Sequence, residues 1–291
     1  MSIVVRPMPS RCRGEHRRAA VVTGAGRGIG AATVLALASR GWSVLAVDSA
    51  ENDAALPYPL ASAGELAAVT NRAGSLVNRV GAVRSFVADV RDPDALRAAV
   101  DTAVRAWGGL DAAIAAAGVL AGGVPLWEMS PEAERAVLDV CLGGVAQLAR
   151  AAVPALLARP APRTGRFLAV SAASTLDGVP LFAAYGAANA GVAGLIRSLN
   201  AELSGTGVTA NAVSPGATAT DLLAEGVRLS GGADPVRQSL IGSPSALAPD
   251  QVATVLAFLA GPDSGAIAGA VVEAKGDAAA PVRPMAVERA G

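Results

Sequence analysis

Val21-Val22-Thr23-Gly24-Ala25-Gly26-Arg27-Gly28-Ile29-Gly30 is the stretch on which the fold turns. The small and β-branched residues at 19–23 read as a strand and 28–40 as a helix, which puts the glycines in the turn between them. Free backbone N–H groups and the positive end of the helix dipole meet at such a turn, and side chains would obstruct an approaching phosphate. A dinucleotide pyrophosphate is therefore expected there. The alternative is a tight strand-to-helix turn with no ligand.

Outward from this turn, apolar runs at 43–48, 84–88, 110–116, 166–171, 207–213 and 269–274 alternate with helical stretches at 64–80, 93–107, 131–158, 182–204 and 249–260. Strands apolar on both faces belong in a parallel sheet covered on both sides. The expected architecture is α/β: a Rossmann-type, doubly wound, seven-stranded and mostly parallel sheet with helices on both faces. Asp92-Pro93 and Ser130-Pro131 read as helix caps followed by a first-turn proline. No internal repeat or linker divides the chain, so one domain is expected over 19–277. An Arg-rich tail precedes it at 1–18 and a loose tail follows at 278–291.

Composition narrows the function classes. Of 291 residues, 52% are hydrophobic, ample for a core, and the formal net charge is zero with no basic stripe for nucleic acid. A small-molecule partner is expected. No continuous apolar run approaches the about 20 residues that span a bilayer, and Arg6, Arg11, Arg13, Arg17 and Arg18 are not followed by a secretory apolar stretch. Cys12 and Cys141 have neither metal-ligand nor disulfide spacing, so no metal is expected and a reducing cytoplasm fits. His16 is the only histidine and lies in the tail, while Lys275 is the only lysine.

Asp48 ends the second strand, where a carboxylate accepts both ribose hydroxyls of NAD and repels a 2′-phosphate. NAD is expected over NADP. Arg27 is a counter-signal, because a guanidinium beside the turn can reach a 2′-phosphate. The TGxxxGIG turn, the acidic end of the second strand, Ala88-Asp89-Val90 and Asn211-Ala212-Val213-Ser214-Pro215-Gly216 together resemble the short-chain dehydrogenase/reductase family over about residues 19–277. The resemblance implies that Gly24, Arg27, Gly28, Ile29, Gly30 and Asp48 hold the pyrophosphate and ribose, and that Asp89 and Val90 hold the adenine. It further implies that Ala117 and Gly118 belong to the fourth-strand signature, and that Pro215, Gly216, Thr218 and Thr220 line the nicotinamide. For Asp89, a helix-capping turn residue is the other reading. Between Asp48 and the next helix lies an insertion, Ser49 through Ala63, containing Pro57-Tyr58-Pro59-Leu60-Ala61-Ser62. It resembles the mycofactocin-coupled branch of the family, which implies tightly held NAD reoxidised in place, with mycofactocin as external electron acceptor. A surface loop without function is the alternative.

The same resemblance expects a catalytic Tyr, a Lys four residues later, a Ser about thirteen residues earlier and an Asn on the preceding long helix. Tyr185 is present, and Asn189 stands at the lysine position, where both are also expected beside the cofactor. Ala172 stands for the serine and Cys141 for the asparagine, while Ala116-Ala117-Gly118 replaces the Asn-Ala-Gly signature. The tetrad is thus degenerate. Without a cation, a phenol of pKa about 10 leaves about one part in a thousand as phenolate at pH 7, roughly 4 kcal/mol of lost base readiness. Lys275 is not expected to compensate, lying beyond the last strand. Ser171 and Ser174 are the candidate substitutes for the missing hydroxyl donor, against a plain strand-end role for each. A neutral phenol still donates a proton, so carbonyl reduction suffers less than alcohol oxidation. Asp177 and Glu128 are further polar candidates at the expected substrate mouth, each with a solvated-loop reading beside it.

Helix 182–204 carries Gly186, Ala187, Ala190, Gly191, Ala193 and Gly194, a side with few bulky groups. Packing on the sheet accounts for it, and the resemblance implies instead a homodimer or homotetramer through this helix and 131–158. A lid over 218–246 is expected to set the substrate, and its small aliphatic residues point to an apolar one. Three readings stand: an NAD-linked oxidoreductase of a small alcohol or carbonyl compound, a catalytically silent NAD-binding sensor or partner subunit, and a non-redox enzyme using Asp177 or Glu128 as base.

Overall fold

The computed structural model describes residues 17–77, 81–172, 178–231 and 246–276. Strands β1 (Ala19–Thr23), β2 (Ser43–Asp48), β3 (Val83–Val87), β4 (Ala112–Ala115), β5 (Arg166–Val170), β6 (Thr209–Pro215) and β7 (Val271–Ala274) form one sheet. Their order is β3-β2-β1-β4-β5-β6-β7, and every pairing is parallel. The direction of winding reverses between β1 and β4, which opens a crevice at the carboxyl ends of the strands. Period-two alternation explains why both faces are apolar: Val21, Leu45 and Val47 are buried on one face, Ala20, Val22, Val44 and Ala46 on the other.

Eight helices cover the described sheet: α1 (Gly28–Ser39), α2 (Ala63–Ser75), α3 (Pro93–Trp107), α4 (Pro131–Leu138), α5 (Gly144–Leu157), α6 (Ala183–Glu202), α7 (Asp221–Leu229) and α8 (Pro249–Leu259). α1, α2 and α8 pack on one face, α3 to α6 on the other. Four of them, α2, α3, α4 and α7, start at a short polar side chain. Asp92 accepts the N–H groups of Asp94 and Ala95 ahead of α3, and Ser130 accepts that of Ala133 ahead of α4, each with proline in the first turn. Asp89 is not the cap of α3.

The long helix departs from the sequence reading. The expected helix 131–158 is interrupted by a π-type turn, Asp139–Gly143, between α4 and α5. Gly144 follows it directly against Val90, where a Cβ would sit 2.6 Å from Val90 Cγ2. Taken as one element, Pro131–Leu157 is 27 residues long and apolar enough to cross a membrane by length and composition, although no continuous apolar run suggested it. Its apolar side is occupied within the domain, with Val145, Leu148, Ala149, Ala152 and Leu156 buried. Part of the expected lid, finally, is the regular helix α7, capped by Thr220, which accepts the N–H of Leu223. Strand ends otherwise differ from expectation by up to two residues, the ordinary fraying range. Residues 1–16, Ser174, Asp177, lid residues 232–245 and residues 277–291 lie outside the described residues.

Candidate nucleotide and active site

A cavity of about 1230 Å³ lies along the carboxyl ends of the strands. It is lined by Gly24, Arg27, Gly28, Ile29, Gly30, Asp48, Asp89 and Val90 after β1 to β3, and by Ala117 and Gly118 after β4. Cys141, Ser171, Ala172, Tyr185, Asn189, Pro215, Gly216, Thr218 and Thr220 line it as well. Residues drawn from positions far apart in the chain thus converge on one space. Glu128 sits in a short exposed turn, Leu126–Glu128, and does not line the cavity, so it is not a base for chemistry there.

The glycine turn is fitted to a close backbone approach. Gly24 has φ +64° and a Cβ there would lie 2.6 Å from Ala116 O, while one at Gly30 would lie 2.0 Å from Gly24 O. Gly28, at φ +54°, opens α1 toward Thr220. Asp48 Oδ2 accepts the N–H of Gly26 at 2.8 Å, and Oδ1 meets only the Ala50 N–H at a long 3.4 Å, leaving acceptor capacity toward the cavity. Arg27 proves to be committed elsewhere. Its Nε and Nη2 donate to the two oxygens of Glu65 on α2 at 2.7 and 2.8 Å, and Nη1 donates to Pro59 O at 3.3 Å. The bond from Arg27, with those from Ser62, holds the Glu65 carboxyl down at about 2. The counter-signal for a 2′-phosphate is thereby removed: the guanidinium serves the insertion.

The insertion is packed rather than loose. Leu56, Tyr58 and Ala61 are buried, and Ala61 presses against the glycine turn so closely that a Cβ on Gly26 would fall 2.6 Å from its own. Tyr58 Oη accepts the N–H of Leu120 at 2.7 Å across the cavity wall. Burial pushes this phenol up to about 12 against the pull of that bond. Arg91 joins Asp53 of the insertion to Asp89, both at 2.6 Å. Burial raises the Asp89 carboxyl, but the bonds from Arg91 prevail and hold it below the usual range. Tyr58 lies within the Pro57–Ser62 motif of the insertion. Its pairing with a main-chain N–H 62 residues away has no local signal.

One residue before Leu120, Val119 is held by Cys141. Val119 N–H donates to its Sγ at 3.3 Å and the thiol donates to Val119 O at 3.2 Å, the acceptor and donor roles a carboxamide also offers. Burial pushes the thiol up to about 11, so it keeps its proton. Tyr185, on the first turn of α6, is raised above the ordinary phenol range by burial, with Asn189 pulling the other way. Asn189 Nδ2 donates to Tyr185 O at 2.9 Å, so its amide nitrogen is turned into its own helix. Ser171 is buried at the end of β5 beside Ala172, and both face the cavity. Lys275 lies directly beyond β7, as the sequence reading places it, and also lines the cavity, its backbone against Gly216 and its Nζ 3.0 Å from Glu273 Oε2. Among the described residues no cluster of metal-ligating side chains occurs.

A doubly wound sheet with a glycine turn at the switch point, an acidic β2 end and a tyrosine at the far side defines a nucleotide-dependent α/β protein. Residues 18–228 match the family model described as short chain dehydrogenase. The chain is 35% identical over 259 residues to cis-4-hydroxycyclohexanecarboxylate dehydrogenase of Sinomonas cyclohexanicum, covering 89% of this chain and 95% of that one. Carveol dehydrogenase from Mycobacterium avium in complex with NAD superposes with TM-score 0.80 at 27% identity, over 88% of this chain and 95% of that one. A short chain dehydrogenase from Mycobacterium paratuberculosis bound to NAD gives 0.79 at 29% identity, over 89% and 96%. The chain belongs to the short-chain dehydrogenase/reductase family, with the Rossmann fold of an NAD-using oxidoreductase.

Proposed function

We propose that the chain interconverts a small cyclic secondary alcohol and its ketone, with NAD as hydride carrier and Tyr185 as the group that moves the proton. The observation that carries this is the convergence of the glycine turn, Asp48 and Tyr185 on one cavity. NAD, when bound, supplies a hydride acceptor. The turn's backbone N–H groups would receive the pyrophosphate and the remaining Asp48 oxygen the ribose hydroxyls. Asp89 and Val90 would flank the adenine. Ala117, Gly118, Pro215, Gly216, Thr218 and Thr220 would line the nicotinamide half, and Asn189 Oδ1 stays available to a ribose hydroxyl. The names of the relatives supply the ring, and Val170, Val179, Phe182, Leu222, Leu223 and Val227 supply an apolar wall to hold one.

In reduction the Tyr185 hydroxyl donates its proton to the substrate oxygen, which needs only the neutral phenol. In oxidation the phenolate must take the alcohol proton, and burial makes that form scarce. Ser171 is the described candidate for the second hydroxyl donor, with Ser174 beside it in sequence. The packed insertion supports tightly held NAD with mycofactocin as external acceptor. The open side of α6, where a Cβ at Gly186 or Gly194 would meet nothing within 4 Å, supports a homodimer or homotetramer. A cytoplasmic setting completes the proposal.

One set of observations favours a second reading. The Ala172 side chain offers no donor, and Asn189, which gives an amide N–H to Tyr185 O, carries no charge, as a silent NAD-binding subunit would allow. Tyr185→Phe tested on cyclic alcohols and ketones by NADH absorbance separates the two: loss of turnover with NAD binding intact supports catalysis, and wild-type protein that binds NAD but turns over no substrate supports the silent subunit.

A further inference from the structure

The sheet order gives the cavity a direction. The pyrophosphate turn follows β1, Asp48 and Asp89 follow β2 and β3, and the adenosine half therefore extends toward that edge. The reactive half must extend the other way, over β4, β5 and β6, with β7 at its far edge. Along that half the strand-end residues Ala117, Val170, Ala172 and Pro215 are uncharged, and the charged groups on its wall are Asp221 and Glu225 of α7 and, immediately after β7, Lys275. The chain's only lysine thus stands where the substrate's tail, not its reacting carbon, would end.

We infer that Lys275 is a specificity-determining residue that receives an anionic group, a carboxylate, carried by the cyclic substrate at the end remote from the reacting oxygen. This rests on the oxidoreductase reading above and names its substrate class. The backbone of Lys275 is braced against Gly216, where a Cβ would lie 3.2 Å from Lys275 Cα, so the side chain has a fixed origin beside the cofactor half. Its ammonium is paired with Glu273 at 3.0 Å, with both side chains partly exposed, at 32% and 49%. Such a pair contributes little, and an incoming carboxylate can replace the Glu273 oxygen as acceptor without stranding a charge. A charge-assisted bond between the ammonium and a carboxylate is stronger than one between neutral groups. The other carboxylates that line the cavity on α7 are engaged: Asp221 lies 3.6 Å from Arg27 and Glu225 2.6 Å from Arg228.

The test is calorimetric binding of cyclohexanecarboxylate and of cyclohexanone to the full chain saturated with NAD. The carboxylate is expected to bind about tenfold tighter or more. Lys275→Met should erase that advantage and leave cyclohexanone and NAD affinities unchanged. Glu273→Gln, which removes the competing acceptor, should tighten the carboxylate alone. Equal affinities in the wild type, carboxylate binding unaltered by Lys275→Met, or an NAD affinity that falls with that substitution would each overturn the proposal. Failure of the oxidoreductase reading shows separately, as wild-type protein that neither binds NAD nor forms NADH with any cyclic alcohol.

Discussion

Tyr185 carries two opposing demands. In the proposed reaction it would meet the substrate away from water, yet burial raises its pKa and no lysine stands four residues on to bring it back. Alcohol oxidation should therefore climb with pH beyond the ordinary tyrosine range, about tenfold per unit, while ketone reduction stays flat across neutral pH. A plateau in oxidation near pH 7 in stopped-flow traces would show that another group depresses the phenol. Glu65 shows the reverse electrostatics. Its folded pKa of about 2 lies below the ordinary 4.5, so its bond to Arg27 stabilises the fold fully above about pH 4.5 and loses that contribution as pH falls toward 2. Melting temperatures of wild type and Glu65→Gln should differ at pH 7 and converge by about pH 2. A constant gap would mean the side chain acts through shape alone.

At the level of elements, the sheet was legible because each strand is a short apolar run bounded by helix caps or glycines, and the parallel order followed from the alternation. The glycine turn was legible for the same reason: only glycine tolerates φ +64° at position 24 and a neighbour's carbonyl 2.0 Å from a Cβ at position 30. Gly30→Ala should cost at least about 3 kcal/mol in denaturant unfolding or prevent folding altogether. A near-neutral result would show that the turn relaxes easily. What sequence did not reveal depends on distant partners. The π-type turn in the long helix accompanies the Cys141–Val119 contacts, and the fixed seat of the insertion rests on Tyr58 meeting Leu120 and on Arg27 meeting Glu65. Helix α7 did have a local signal, Thr220-Asp221 before Leu222-Leu223, masked by the glycine within it. Tyr58→Phe leaves a buried N–H unpaired and should destabilise by about 1–3 kcal/mol. It should also speed NAD loss in a dilution experiment. Unchanged stability with unchanged retention would make the insertion's other ties sufficient.

For the molecule as a whole, zero net charge and a cavity walled by both signs leave little long-range steering, so binding is expected to depend on fit within the cavity. In the proposed assembly the open face of α6 would meet a second copy. Gly194→Arg should leave the far-ultraviolet circular dichroism unchanged and reduce the mass found by light scattering to that of a single chain; an unchanged multimeric mass, or a wild type that is already monomeric, would place no interface there. The central claim is that this cavity belongs to NAD, held beneath a packed insertion and turned over by Tyr185. Its most direct test is to denature the purified protein and quantify released nucleotide per chain by chromatography and mass spectrometry. About one NAD per chain, without NADP, is the predicted result. No released nucleotide, together with no binding of added NAD, would contradict it.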